Sequence, residues 1–233
     1  MERAVILLSG GLDSAVCLAK AARQDRSTFC ITFNYGQKHE REIESARKLA
    51  RVFNADGHMV FDIDLKSIGG SSLVDDSPVP VNRDMDNGEI PSTYVPARNT
   101  IFLSIALGWA EVLGAREIWT GVNEVDTSGY PDTRPEFIEA FEKMALTATR
   151  MTSSGDGIRI VAPLTGMDKG GIVGLGKKLG LDFSLTWSCY NPQPGGRVCG
   201  ACDSCRLRAR GFDQAGVSDP LASTFEKMET CGQ

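Results

Sequence analysis

The chain has 233 residues, room for one large domain with a small appendage, and its 42% hydrophobic and 24% charged residues match a globular protein rather than a disordered or fibrous one. A formal net charge of −5 and a pI near 5.2 exclude a surface that attracts nucleic acid by its overall field. No apolar run approaches the ~20 residues of a membrane span, and the opening MERAVILLSGG is too short an apolar run for a secretion signal, so a cytoplasmic chain with no membrane or direct nucleic-acid partner is expected.

The apolar run at 4–8, cut off by Ser9-Gly10-Gly11, reads as a buried parallel strand, and residues 14–23 follow at helical spacing. Residues 29–35 make a second strand, after which Ile43, Ala46, Leu49, Ala50 and Phe53 share one helical face. A third strand is expected at 58–65, a strongly apolar helix at 99–113, a fourth strand at 117–122, a helix at 134–147 and a fifth strand at 158–164. This alternation predicts an α/β fold: a doubly wound, five-stranded parallel sheet with helices on both faces. Two stretches break it. Residues 67–96 form a Ser/Asp/Pro/Gly-rich connection of unusual length, either a functional loop or lid or a floppy insertion. After Leu185 comes a cysteine-rich tail, so an α/β domain at 1–185 and a tail subdomain at 186–233 are expected.

The stretch LLSGGLDSAVCL at 7–18 sets a glycine turn between the first strand and the first helix, where unsatisfied helix N–H groups converge on an anion. Gly10 and Gly11 let the backbone turn and come close, Ser9 and Ser14 offer hydroxyls, and Asp13 can cap the helix or orient a metal-bound water. No lysine precedes Lys20, so this is not the common lysine-bearing phosphate loop. It suits an oxyanion held by backbone dipoles, or else it is only a turn. The segment at 171–178 nearly matches the lysine-bearing pattern. However, Lys178 stands where a hydroxyl would ligate Mg²⁺, and Ile172, Val173, Leu175 and Leu179 fall at helical spacing, so it reads as helix interior. Lys169, just past the fifth strand, is better placed to reach phosphates at the sheet's carboxyl edge; a solvated surface lysine is the alternative.

Seven cysteines are an odd number, and Cys189, Cys199, Cys202 and Cys205 have the spacing C-x₉-C-x₂-C-x₂-C. Four thiolates so close in sequence can close a tetrahedral Zn²⁺ site with no open position, which makes a structural role the expected one. The same C-x₂-C-x₂-C also occurs in iron–sulfur ligation. Cys17 and Cys30 sit in apolar runs and read as buried thiols, and Cys231 stands alone.

SGGLDS after a first strand resembles the loop of the N-type ATP pyrophosphatases, the superfamily of GMP synthetase, NAD synthetase, asparagine synthetase and the tRNA thiolation enzymes. The resemblance implies ATP as co-substrate, with Mg²⁺, cleaved between its α and β phosphates. The nucleotide would lie along Leu8, Ser9, Gly10, Gly11, Leu12, Asp13, Ser14, Ala15, Val16, Cys17 and Leu18. Taken with YGQKHEREIESA at 35–46, TYVPARNTIFLSIAL at 93–107, SGYPDTRPEFIEAF at 128–141, and SCY and CGACDSCRLRARGF within 188–212, the loop resembles the 7-cyano-7-deazaguanine synthase (QueC) family from Ala4 to Pro220. That family converts 7-carboxy-7-deazaguanine, ammonia and ATP into 7-cyano-7-deazaguanine on the way to queuosine, and carries one structural zinc. The resemblance implies a C–N bond-forming ligase whose partners are these small molecules, with a homodimer as an open option. Thr133 stands where the family often has cysteine, which removes any role for a thiol there.

Asp13 and Ser14 are then the catalytic candidates of the loop, and Lys169, Arg98 and Arg208 the candidates for neutralising phosphate charge; structural ion pairs are the alternative for the two arginines. Asp126 and Asp132 are expected to accept the N–H and amine edge of the base, or to serve as turn or cap residues. His39 would relay a proton from ammonium or lie at a helix start on the surface. A tRNA thiolation enzyme and a non-catalytic ATP sensor are the competing readings, the first disfavoured by the acidic charge and by the apolar settings of Cys17 and Cys30.

Overall fold

Ala4, Val5 and Ile6 are fully buried, as a strand covered on both faces requires, and they form the middle of β1 (Arg3–Leu7) at the sheet's centre. The chain is described here from a computed structural model covering residues 1–38, 40–85, 88–123, 130–150 and 157–222. Strands β2 (Ser27–Asn34), β3 (Gly57–Asp62), β4 (Glu117–Trp119) and β5 (Arg159–Val161) complete a wholly parallel sheet in the order β3-β2-β1-β4-β5. Side chains alternate between the faces. Val5, Ile31 and Ile118 point into one core with α3 (Arg98–Leu113) and α4 (Pro135–Ala148). Ala4, Ile6, Cys30 and Trp119 point into the other, with α1 (Leu12–Arg23), α2 (Arg41–Val52), α5 (Lys169–Lys178) and α6 (Asp203–Gln214). The expected doubly wound fold is what forms.

Three strands are shorter than their apolar runs predict: β3 stops at Asp62, β4 at Trp119 and β5 at Val161. After Trp119 the ladder continues with Thr120 N–H donating to Val161 O at 2.9 Å, and then only an isolated bridge joins Asn123 to Leu164. The chain is drawn instead toward α1: a Cβ on Gly121 would lie 3.1 Å from the Ser14 nitrogen, so glycine lets the two segments meet.

The long connection at 67–96 contains no helix or strand among its described residues, yet Leu73, Val74, Val79 and Val95 are buried in the α3 and α4 core. Ser72 N–H closes it on Ser92 O at 2.8 Å, Val81 bridges Cys202, and Asn82 N–H reaches Ala201 O at 2.8 Å. It is therefore a packed cover stitched to the cysteine-rich tail. The tail shares both cores with the sheet: Cys189, Val198, Cys202 and Cys205 belong to one and Phe212 to the other. No helix among the described residues is long and apolar enough to cross a membrane.

Candidate active site

In an open parallel sheet, ligands lie beyond the carboxyl ends of the strands, where the connections leave in opposite directions. Here that point falls between β1 and β4, and a cavity of about 530 Å³ opens there. Its floor is the turn after β1. Gly10 takes φ +90°, and a Cβ there would lie 2.0 Å from the Glu42 carbonyl oxygen, so the turn needs both the conformation and the missing side chain. Gly11 is the N-cap of α1 and no side chain caps that helix, which leaves its leading N–H groups for a ligand. The hydroxyls of Ser9 and Ser14 lie 3.0 Å apart, Gly11 N–H donates to Ser9 Oγ at 3.2 Å, and Ser14 Oγ donates to Gly11 O at 3.1 Å. The nest is thus set before a ligand arrives.

Asp13 and Lys169, 156 residues apart, meet over this nest with Lys169 Nζ 2.7 Å from Asp13 Oδ2. Asn123 Nδ2 donates to the same oxygen at 3.3 Å. The other oxygen, Oδ1, is buried with no hydrogen-bond partner. Of the predicted nucleotide stretch, Leu8, Ser9, Gly11, Leu12, Asp13 and Ser14 line the cavity. Ala15, Val16, Cys17 and Leu18 are instead fully buried in the core behind it, because α1 turns them away from the sheet's edge. Cys17 donates to Thr120 O at 3.5 Å and burial drives its thiol far above the usual range, so it is inert.

The opposite wall includes the starts of α3 and α2. Arg98 opens α3; burial works against its charge, but the phenols of Tyr35, Tyr190 and Tyr130 more than offset this and raise its pKa. Glu42, near the start of α2, also lines the cavity, and burial pushes its carboxyl up to about 7 against the pull of Arg98. Glu42 lies inside YGQKHEREIESA four and seven residues before the buried Ala46 and Leu49, and a carboxylate on the apolar face of α2 is the signal in the sequence that marks it.

Arg208, on α6, is 5% exposed, and five hydrogen bonds engage it: two to Asp219, one each to Thr186, Ser188 and the Phe183 carbonyl. These bonds occupy its donors, its guanidinium lies 4.8 Å from the Phe212 ring centroid, and the residue also lines the cavity. Asp132, 6% exposed, accepts from Asn99 N–H at 2.9 Å and so caps α3, while its own carbonyl takes Asn99 Nδ2 at 3.2 Å. It does not line the cavity, whereas Tyr130 and Thr133 beside it do. His39, Asp126 and Cys231 lie outside the described residues.

The sulfur atoms of Cys189, Cys199, Cys202 and Cys205 all lie within 4.8 Å of one another, and those of Cys199 and Cys205 are 3.9 Å apart. Tetrahedral thiolates at about 2.3 Å from one ion sit roughly 3.8 Å from each other, so the four could hold a metal ion. Cys199 N–H donates to Cys189 Sγ at 3.2 Å and Cys202 N–H to Cys199 Sγ at 3.3 Å, bonds that favour the charged sulfur. The tail reaches the nest directly, for Trp187 N–H donates to Gly10 O at 2.9 Å.

Comparison with known proteins follows the same lines. The chain matches the family model described as "Queuosine biosynthesis protein QueC" over residues 3–216. It is 54% identical over 226 residues to the 7-cyano-7-deazaguanine synthase of Syntrophotalea carbinolica, covering 97% of this chain and 98% of that one. Against the 7-cyano-7-deazaguanine synthase of Pseudomonas fluorescens it is 55% identical over 219 residues, covering 94% and 97%. Among solved structures, NMN synthetase from Francisella tularensis aligns with a TM-score of 0.49 at 16% identity, covering 97% of this chain and 76% of that one.

Proposed function

The chain belongs to the QueC family of queuosine biosynthesis proteins, and from that premise we propose that it is an ATP-dependent ligase turning 7-carboxy-7-deazaguanine and ammonia into 7-cyano-7-deazaguanine. The observation that carries this reading is the meeting of Asp13 and Lys169 over the uncapped start of α1, inside one cavity large enough for a nucleotide and a flat ring.

A carboxylate is a poor electrophile. Its oxygen attacks the α phosphorus of ATP, pyrophosphate leaves, and the acyl adenylate now carries AMP as a good leaving group. Ammonia adds, AMP departs and an amide remains. The amide oxygen then attacks a second ATP in the same way, and loss of AMP with a proton gives the nitrile. Two ATP become two AMP and two pyrophosphates. The α1 N–H groups with Ser9 and Ser14 hold the departing pyrophosphate, and Lys169 meets the charge that grows on the bridging oxygen. Asp13 fixes Lys169 through Oδ2, and its carboxylate, whose Oδ1 has no hydrogen-bond partner, would hold Mg²⁺ or one of its waters; the ion would supply charge neutralisation at the phosphates. Arg98 serves the opposite end of the cavity, and Arg208 braces the wall through Thr186 and Asp219.

Cys189, Cys199, Cys202 and Cys205 would hold one zinc ion, which supplies folding energy and no chemistry, since four thiolates close the tetrahedron. Sulfurs this close together suit a single ion better than a cluster of several irons. Residues 1–185 form the catalytic unit and 186–233 the tail subdomain, whose described residues, 186–222, wall it. The substrates are small molecules, and a cytoplasmic setting suits thiols such as Cys17 and Cys30 that remain reduced.

The test is direct. Purified protein given 7-carboxy-7-deazaguanine, ammonia and ATP should form the nitrile with two AMP and two pyrophosphates. Nucleotide binding without pyrophosphate release would leave only a sensor.

A further inference from the structure

Beyond the phosphate nest, the cavity becomes aromatic. Phe33 and Phe102 stack with ring centroids 3.9 Å apart, Tyr35 lies 5.5 Å from Phe102, and all three line the cavity. Faces of this kind take a flat ring, but they do not distinguish one ring from another. Two charged side chains border them. Glu42 stands on α2, whose backbone abuts Gly10, and Arg98 lies with its guanidinium carbon 5.9 Å from the Tyr35 centroid. Their charges interact, yet no described residue hydrogen-bonds the Glu42 carboxyl and the two form no ion pair. A partly buried carboxyl in this state is costly unless a ligand completes it.

We infer that Glu42 and Arg98 read the edge of the substrate's guanine-like ring, Glu42 accepting from the ring N–H and the neighbouring amine, and Arg98 donating to the adjacent carbonyl oxygen. This rests on the function proposed above. A guanine-type edge presents two donors and then an acceptor in a row, and an acidic and a basic group side by side are its complement. With that edge held against α2 and α3, the carboxylate-bearing side of the ring turns toward Lys169 and the nest. The subsite also explains why Asp132 can be spent on capping α3.

The experiment compares 7-carboxy-7-deazaguanine with its analogue lacking the 2-amino group, by pyrophosphate release, in wild type, Glu42→Gln and Glu42→Met. Wild type should prefer the amino compound by about 10- to 100-fold in kcat/KM, the value of a hydrogen bond to a charged acceptor. Glu42→Met should lose that preference, with KM for the ring substrate rising more than kcat falls and KM for ATP changing by less than about threefold; Glu42→Gln, which keeps one acceptor, should fall between. Should Glu42→Met fail to fold, Glu42→Gln decides: a preference reduced below that of wild type supports the inference, and an undiminished one overturns it. Turnover of both compounds with equal efficiency by wild type, or an undiminished preference in folded Glu42→Met, overturns this inference while the proposed function stands. No pyrophosphate from either compound overturns both.

Discussion

Asp13 holds Lys169 and Asn123 on one carboxylate oxygen, and its other oxygen is buried without a hydrogen-bond partner. Asp13→Ala should therefore lower pyrophosphate release by about 10²- to 10⁴-fold, the usual size of a lost group that stabilises developing charge. It should also cost about 1–3 kcal/mol of stability, because Lys169, with a side chain only 10% exposed, loses a charged partner. A melting curve beside a pyrophosphate assay separates the two effects, and wild-type rates in the variant would remove the nest from the chemistry. Both residues were legible in the sequence, Asp13 from its place in SGGLDS and Lys169 from its place after the fifth strand. Their contact was not, since nothing local joins positions 156 residues apart. Arg208 shows the reverse limit. Charge alone nominated it for phosphate, but Asp219 and Thr186, which absorb its donors, become its neighbours only through folding.

At the level of elements, periodicity located the five strands and the helices between them but not α6 in the cysteine-rich tail, and it misplaced strand ends, as at β4, where contact of Gly121 with α1 takes over from the ladder. Helix α5 settles the near match to a lysine-bearing loop: Ile172 and Val173 are fully buried, and a Cβ on Gly176 would lie 2.8 Å from the Phe183 ring. The turn before α1 has no such freedom. Gly10→Ala should prevent a native turn, since the new methyl meets the Glu42 carbonyl oxygen at 2.0 Å. Loss of both ATP binding and several degrees of melting temperature would confirm it. The far end of the sheet supplies a pH-dependent test. Burial pushes the Glu117 carboxyl up, but hydrogen bonds from Arg26, Trp119 and Arg159 together hold it below its usual value of 4.5. A depressed carboxylate contributes stability above that value and loses it as pH falls through the lower folded-state pKa. Glu117→Gln should be less stable than wild type at pH 7 by about 1–3 kcal/mol, and the difference should shrink in denaturant melts below pH 4.5. A gap independent of pH would contradict the ion-pair explanation.

For the whole molecule, the four-cysteine cluster is where distant pieces join: Val81 bridges Cys202, Arg83 pairs with Asp203 at 2.9 Å, and Trp187 hydrogen-bonds Gly10 in the nest. Stripping the metal with a chelator, or replacing Cys202 by serine, should lower the melting temperature before it slows chemistry at low temperature. Elemental analysis of the untreated protein should find one zinc, whereas iron with acid-labile sulfide would contradict the single-ion site. Spacing revealed this cluster in the sequence, but not that the connection at 67–96 closes over it, because that packing depends on buried residues such as Val79 and Val95 with no periodic signature. If one cavity adenylates twice, the second step must run there alone. Synthetic 7-amido-7-deazaguanine supplied with ATP and no ammonia should give the nitrile with one AMP and one pyrophosphate, and Asp13→Ala should block this half-reaction as fully as the whole; ADP and phosphate as products, or conversion of the amide by that variant, would contradict it.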